Sequence, residues 1–119
     1  MATILVIDDE SSIRELLQEA LERNQHSVLL AEDGLEALDV LRAHAVDVAL
    51  VDLIMPRMHG LELLRRMRDE FAAVKVIIMS AYEDIVDLAQ RQKDVAAILR
   101  KPFTVAELTD MVQKILDST

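Results

Sequence analysis

Four short polar clusters in this chain each come after an apolar run, and their residue types could do chemistry together. Asp52 closes Ala49-Leu50-Val51 and opens Leu53-Ile54-Met55-Pro56, and Asp8-Asp9-Glu10 follows Ile4-Leu5-Val6-Ile7. Ser80 follows Val76-Ile77-Ile78-Met79, and Lys101-Pro102 comes just after Ala97-Ile98-Leu99. Asp8, Asp9, Glu10 and Asp52 gather carboxylate oxygen, the donor that hard divalent cations take. In an open parallel sheet the carboxyl ends of the strands share one edge, where ligands collect, so the four clusters are expected to converge.

The elements that must position them can be read from hydrophobic spacing. Thr3 to Ile7 is apolar on both faces and too short for a helix, as in a strand covered on both sides. Ser12-Ile13-Arg14-Glu15 has the form of a capping box, and Ile13, Leu16, Leu17, Ala20 and Leu21 make one buried stripe of a helix running to about Asn24. A strand over His26 to Ala31 comes next, then a turn at Asp33-Gly34 where glycine would accept positive φ. Leu35, Leu38 and Leu41, with Ala37, give the next helix its buried side. Val46 to Val51 predicts a third strand, Leu61 to Glu70 a helix, Val74 to Met79 a fourth strand, Glu83 to Lys93 a charge-rich helix and Val95 to Leu99 a fifth strand. Thr104-Val105-Ala106-Glu107, a second capping box, opens a last helix through Leu108, Met111, Val112, Ile115 and Leu116. Five strands alternating with five helices imply right-handed crossovers and a parallel sheet with helices on both faces. The expected fold is a flavodoxin-like (βα)5 domain with strand order 2-1-3-4-5, filling residues 1–119 as a single unit.

Bulk properties exclude several classes. The chain has 22 acidic against 13 basic residues, a net charge of −9 that is the wrong sign for neutralising nucleic-acid phosphates. No run approaches the roughly 18 apolar residues of a membrane span, and a signal-peptide layout is missing from the N-terminus. Cysteine is absent, so disulfides and thiolate metal sites are excluded. A cytoplasmic protein that binds neither nucleic acid nor membrane through this segment is expected. His26, His44 and His59 lack metal-ligand spacing and are expected at the surface or in loops; the six methionines are expected to pack the core and loops.

Taken in order, Ile4-Leu5-Val6-Ile7-Asp8-Asp9-Glu10, Asp33-Gly34, Asp52-Leu53-Ile54-Met55-Pro56 with Gly60, Ser80-Ala81 and Lys101-Pro102-Phe103 make the chain resemble the receiver domain of bacterial two-component response regulators. The resemblance covers essentially the whole chain. It implies that Asp52 accepts a phosphoryl group from a histidine kinase. It also implies that Asp9 and Asp52 ligate Mg²⁺, with Mn²⁺ an alternative ion, that Asp8 holds the ion through water, and that the Ile54 backbone carbonyl completes the protein's share. Lys101 and Ser80 would each grip a phosphoryl oxygen, Ala81 would leave room for the group, and Lys101-Pro102 would be a cis peptide. Mg²⁺ suits such a set because it wants oxygen ligands and keeps several waters.

Two positions depart from the family pattern. Ile98, three before Lys101, stands where an aromatic residue often acts as a moving ring, so signalling is expected through the backbone after Ser80, with Tyr82 a substitute ring at most. Ile54 and Tyr82 also flank the route of a hydrolytic water and lack the polar groups that would orient it, which implies a long-lived acyl phosphate. Asp94 replaces a usual glycine and His59 a frequent acidic residue. The face built from residues 83 to 116 would read out the switch to an output domain or partner; its charges could pair across a homodimer or simply be solvated.

Each residue alone has an ordinary explanation. Asp8, Asp9 and Glu10 could favour a helix N-terminus, Ser80 could be a turn residue and Lys101 a surface lysine. Two other functions compete with the phosphoacceptor switch, which has no turnover substrate and is in that sense not an enzyme. A phosphorylation-independent receiver-like scaffold would have no use for the full Asp8, Asp9, Asp52, Ser80 and Lys101 set. A Mg²⁺-dependent phosphohydrolase would need a second carboxylate where Ile54 sits. Flavin binding is excluded because two glycines cannot build a phosphate cradle.

Overall fold

The computed structural model describes residues 2–53, 60–82 and 95–118. The strands are β1 (Thr3–Ile7), β2 (Ser27–Ala31), β3 (Val48–Asp52), β4 (Lys75–Ser80) and β5 (Val95–Arg100). The helices among the described residues are α1 (Ser11–Arg23), α2 (Gly34–Ala43), α3 (Gly60–Glu70) and α4 (Val105–Asp117). The helix expected over Glu83 to Lys93 lies outside the described residues, as do Ile54, His59 and Asp94. The sheet has five parallel strands in the order β2-β1-β3-β4-β5, the flavodoxin-like order expected from the alternation.

Alternate strand residues point to opposite faces and build two cores. Leu5, Ile7, Ala49, Val51, Val76 and Ile78 pack with Leu38, Leu41, Leu63 and Met67 of α2 and α3. Ile4, Val6, Val48, Leu50, Ile77 and Met79 pack with Leu17, Leu21, Leu108 and Val112 of α1 and α4. Being apolar on both sides is what commits these strands to the middle of a layered fold. Register then sets the height of each strand end. Ile7 pairs with Val51 and Asp52 with Met79, so Asp8, Asp52 and Ser80 leave the sheet within a residue of one another. An irregularity between Val76 and Ile77 takes Ala96 out of the pairing and puts Ile98 opposite Ile78.

Several local expectations are corrected. The capping box at Ser12 does not form: the helix starts a residue earlier, its N-cap is Glu10 without a side-chain hydrogen bond, and Ser12 is already inside it. The Glu10 N–H is instead taken by the Asp8 carboxylate at 3.0 Å. Gly34 is not in the positive-φ region; it is the first residue of α2, and Asp33 caps that helix by accepting the Glu36 N–H at 2.9 Å. Leu16 and Leu35, expected in buried stripes, are 49% and 43% exposed because the sheet covers a narrower arc than the stripes suggest. His26, expected at the surface or in a loop, does lie in the loop before β2 but is buried there, and its Nδ1 accepts the Ala2 N–H at 3.1 Å. The capping box of α4 does form, with Glu107 N–H to Thr104 Oγ1 at 3.1 Å and Thr104 N–H to Glu107 Oε1 at 3.0 Å. Gly60 allows a close backbone approach: its N–H donates to the Leu53 carbonyl at 3.0 Å, and a Cβ there would run into Leu53 Cα.

Candidate functional site

The carboxyl edge of the sheet brings the clusters together. Asp8 follows β1, Asp52 ends β3, Ser80 ends β4 and Lys101 follows β5. Asp8, Asp52 and Ser80 are buried, while Asp9 is exposed. One carboxylate oxygen from each of Asp8, Asp9 and Asp52 lies within 4.8 Å of the others, a donor set of hard oxygens that could hold a divalent cation. Glu10 is outside that set and serves as the α1 N-cap.

Lys101 lies across the site. Its Nζ donates to Asp8 Oδ2 at 2.9 Å and to Asp52 Oδ2 at 3.4 Å, although the residues are 93 and 49 positions apart in the chain. Burial works against the ammonium, but the hydrogen bond to Asp8 and the charges of Asp52 and Asp8 outweigh it and hold the Lys101 pKa above its ordinary value. The amine is thus a firm cation that partly neutralises the carboxylates. Its main chain is anchored by the Lys101 N–H donating to the Ser80 carbonyl at 2.9 Å, and the Lys101–Pro102 peptide is cis.

Ser80 Oγ accepts the Tyr82 N–H at 3.1 Å, which leaves the hydroxyl hydrogen to donate elsewhere. Ala81 is exposed beside it, and the Tyr82 side chain is 60% exposed. Ile98 is partly buried against the core that faces α2 and α3. An apolar groove of about 270 Å³ runs beside the lysine, lined by Ile13, Leu16, Leu17, Ala81, Pro102 and Phe103. One contact went unforeseen: Arg14 Nη1 donates to the Asp8 carbonyl oxygen at 2.7 Å. Its only mark in the sequence is a lone basic residue just after an acidic triplet.

A parallel α/β domain with converging carboxylates, a hydroxyl and a lysine at the carboxyl edge of its sheet defines a class whose donor set could hold a cation beside an anion. Comparison with known proteins places the chain within that class. The response regulator receiver domain family matches residues 4–113, and the chain belongs to it. It is 37% identical over 115 residues to sporulation initiation phosphotransferase F of Bacillus subtilis, covering 95% of this chain and 92% of that protein. It is 34% identical over 117 residues to the response regulator MprA of a Mycobacterium species, covering 98% of this chain but 51% of MprA. The chain thus spans about half the length of that regulator. The structure of TrrA from Thermotoga maritima, in complex with Mg²⁺ and BeF, superposes with a TM-score of 0.86 at 34% identity, over 97% of this chain and 99% of that one. A Francisella receiver domain gives a TM-score of 0.90 at 28% identity, covering 99% of this chain and 98% of that one. Receiver domains are signalling switches that take phosphoryl groups from histidine kinases and regulate output domains. Among the described residues, no helix is long and apolar enough to cross a membrane.

Proposed function

We propose that Asp52 is the phosphoacceptor of this receiver domain and that a histidine kinase is its donor. The observation that carries the reading is the Lys101 ammonium held between Asp8 and Asp52, with Asp9 in reach of both carboxylates. Asp8, Asp9 and Asp52 would hold Mg²⁺, with Mn²⁺ an alternative, and the Ile54 carbonyl would add a further oxygen. The bound ion supplies neutralisation of phosphoryl charge as it develops.

The chain's own groups do the rest. An Asp52 carboxylate oxygen forms the new O–P bond while the bond from phosphorus to the donor's histidine nitrogen breaks, the electron pair leaving with that nitrogen. Lys101 is a compact cation able to pass from the two carboxylates to a phosphoryl oxygen. The Ser80 hydroxyl hydrogen, not needed by Tyr82, is available to donate to a second one, and the short Ala81 side chain leaves space. The apolar groove from Ile13 to Phe103 lies against Lys101, which supports docking of a protein donor over the site.

Phosphorylation would shift a two-state equilibrium and be read by an output domain or partner on the face of residues 83–116. With Ile98 aliphatic and partly buried against the core, the signal would pass through the backbone after Ser80. Charges at Arg100, Glu107 and Asp110 on that face could support a homodimer. Ile54 and Tyr82 would slow hydrolysis, so the acyl phosphate would outlive that of an Ile54→Asn variant. The protein would act in the cytoplasm as a switch without a turnover substrate. Intact mass after incubation with acetyl phosphate and Mg²⁺ tests the core of this: one phosphate gained, and none on Asp52→Asn. A chain that stays unmodified while binding its partners equally well would be the phosphorylation-independent scaffold instead.

A further inference from the structure

Asp8 is the most enclosed carboxylate of the site, at 0% exposure, and all of its polar groups are engaged. Its N–H donates to the Ala31 carbonyl at 3.1 Å, its Oδ1 accepts the Glu10 N–H at 3.0 Å, and its Oδ2 accepts Lys101 at 2.9 Å. The main-chain carbonyl is met by the Arg14 guanidinium at 2.7 Å, the shortest of these contacts. A buried carbonyl left without a donor is costly, so this bond is worth more than a surface one. Arg14 reaches back from the first turn of α1, whose N-terminus has no side-chain cap, and ties that turn to the end of β1. The residues between the two ends of the tie include Asp9, the exposed member of the cation-binding set.

We propose that Arg14 is a positioning residue for the divalent cation: by clamping the Asp8 carbonyl it fixes the turn from which Asp8 and Asp9 meet Asp52 around one ion. The inference rests on the metal reading given above. It also makes a prediction opposite to the one that charge alone would make. As a cation near the site, Arg14 opposes an incoming dication, so its removal should tighten binding if electrostatics were its whole effect. As a clamp, its removal should weaken binding, because groups that orient metal ligands commonly change affinity about ten- to a hundredfold when lost.

The test is titration calorimetry of Mg²⁺ into the whole metal-free chain, comparing the native protein with Arg14→Met and Arg14→Lys. Arg14→Met, which keeps an apolar stem and loses both charge and donor, is expected to bind Mg²⁺ about tenfold more weakly or worse. Arg14→Lys, which keeps a charged donor, is expected to recover much of that loss. Binding by Arg14→Met that equals or exceeds the native protein overturns the proposal, and so does Arg14→Lys binding as weakly as Arg14→Met. Circular dichroism of the metal-free variants checks that each is folded; if Arg14→Met is not, the comparison of Arg14→Lys with Arg14→Gln replaces it, with the lysine variant expected to bind more tightly and the reverse order counting against the clamp. If the native protein itself takes up no Mg²⁺, the metal reading has failed; if it does and Arg14→Met matches it, only the role of Arg14 has.

Discussion

Lys101→Met should make the site bind Mg²⁺ more tightly while making it a poorer phosphoacceptor. The Lys101 ammonium lies 2.9 Å from Asp8 and 3.4 Å from Asp52, so it occupies the field that a dication must enter. Unit charges about 4 Å apart interact by roughly 1 kcal/mol in water and about 4 kcal/mol at an effective dielectric of about 20, and a dication doubles both figures. The side chain is 20% exposed and flexible, so it can swing aside and relieve most of the repulsion, which argues for the lower end. The expected gain is about 1.5–3 kcal/mol, or roughly ten- to a hundredfold in dissociation constant. Calorimetric titration at fixed ionic strength measures it directly. Phosphorylation by acetyl phosphate, followed by intact mass at saturating Mg²⁺, should meanwhile slow, since the cation proposed to pair with a phosphoryl oxygen would be gone. An unchanged or weakened Mg²⁺ affinity in a folded Lys101→Met protein would refute the reasoning, because it would mean the lysine and the metal do not compete.

Three further outcomes follow from the packing. Gly60→Ala should lose about 1–3 kcal/mol in urea unfolding, since the added Cβ meets Leu53 backbone, with the carbonyl oxygen at 2.8 Å, and the clash exceeds alanine's advantage in a helix. Thr104→Ala removes one half of the α4 capping box and should cost about 0.5–2 kcal/mol in the same assay. Burial lowers the pKa of His26 below its ordinary 6.5, so the unfolded chain takes up that proton first. The resulting stability is complete above pH 6.5 and is lost as pH falls through the folded-state value; the urea midpoint of the native protein should therefore drop more between pH 7.5 and 5.5, assay values of about one unit either side of 6.5, than that of His26→Gln.

The fold was legible because its strands are apolar on both faces, a pattern that leaves little choice but a covered parallel sheet. The ends of β1, β3 and β4 could be placed because Asp8, Asp52 and Ser80 each interrupt such a run. What escaped depends on the third dimension. Leu16 belongs to a regular helical stripe, yet a stripe says which side of α1 is apolar and not how wide an arc the sheet covers. The Ser12-to-Glu15 spacing satisfied the capping pattern, but the Asp8 carboxylate had already claimed the Glu10 N–H and started the helix earlier. His26 is a single residue without periodicity, and the partner of its Nδ1 is the Ala2 N–H, 24 positions away. Arg14 was invisible as a site residue because a guanidinium meeting a main-chain carbonyl leaves no spacing rule behind.

The hydrogen bond from the Lys101 main chain to the Ser80 carbonyl straps the tips of β4 and β5 together. The hydroxyl that would greet an incoming phosphoryl oxygen and the amine that would greet another are therefore mounted on two strand ends joined by a hydrogen bond. A pull on either is felt at once by its companion, so the two should respond to phosphate in concert and not in sequence. Tyr82 leads directly from this strap towards the segment that begins at residue 83, which gives that joint motion a covalent path outward.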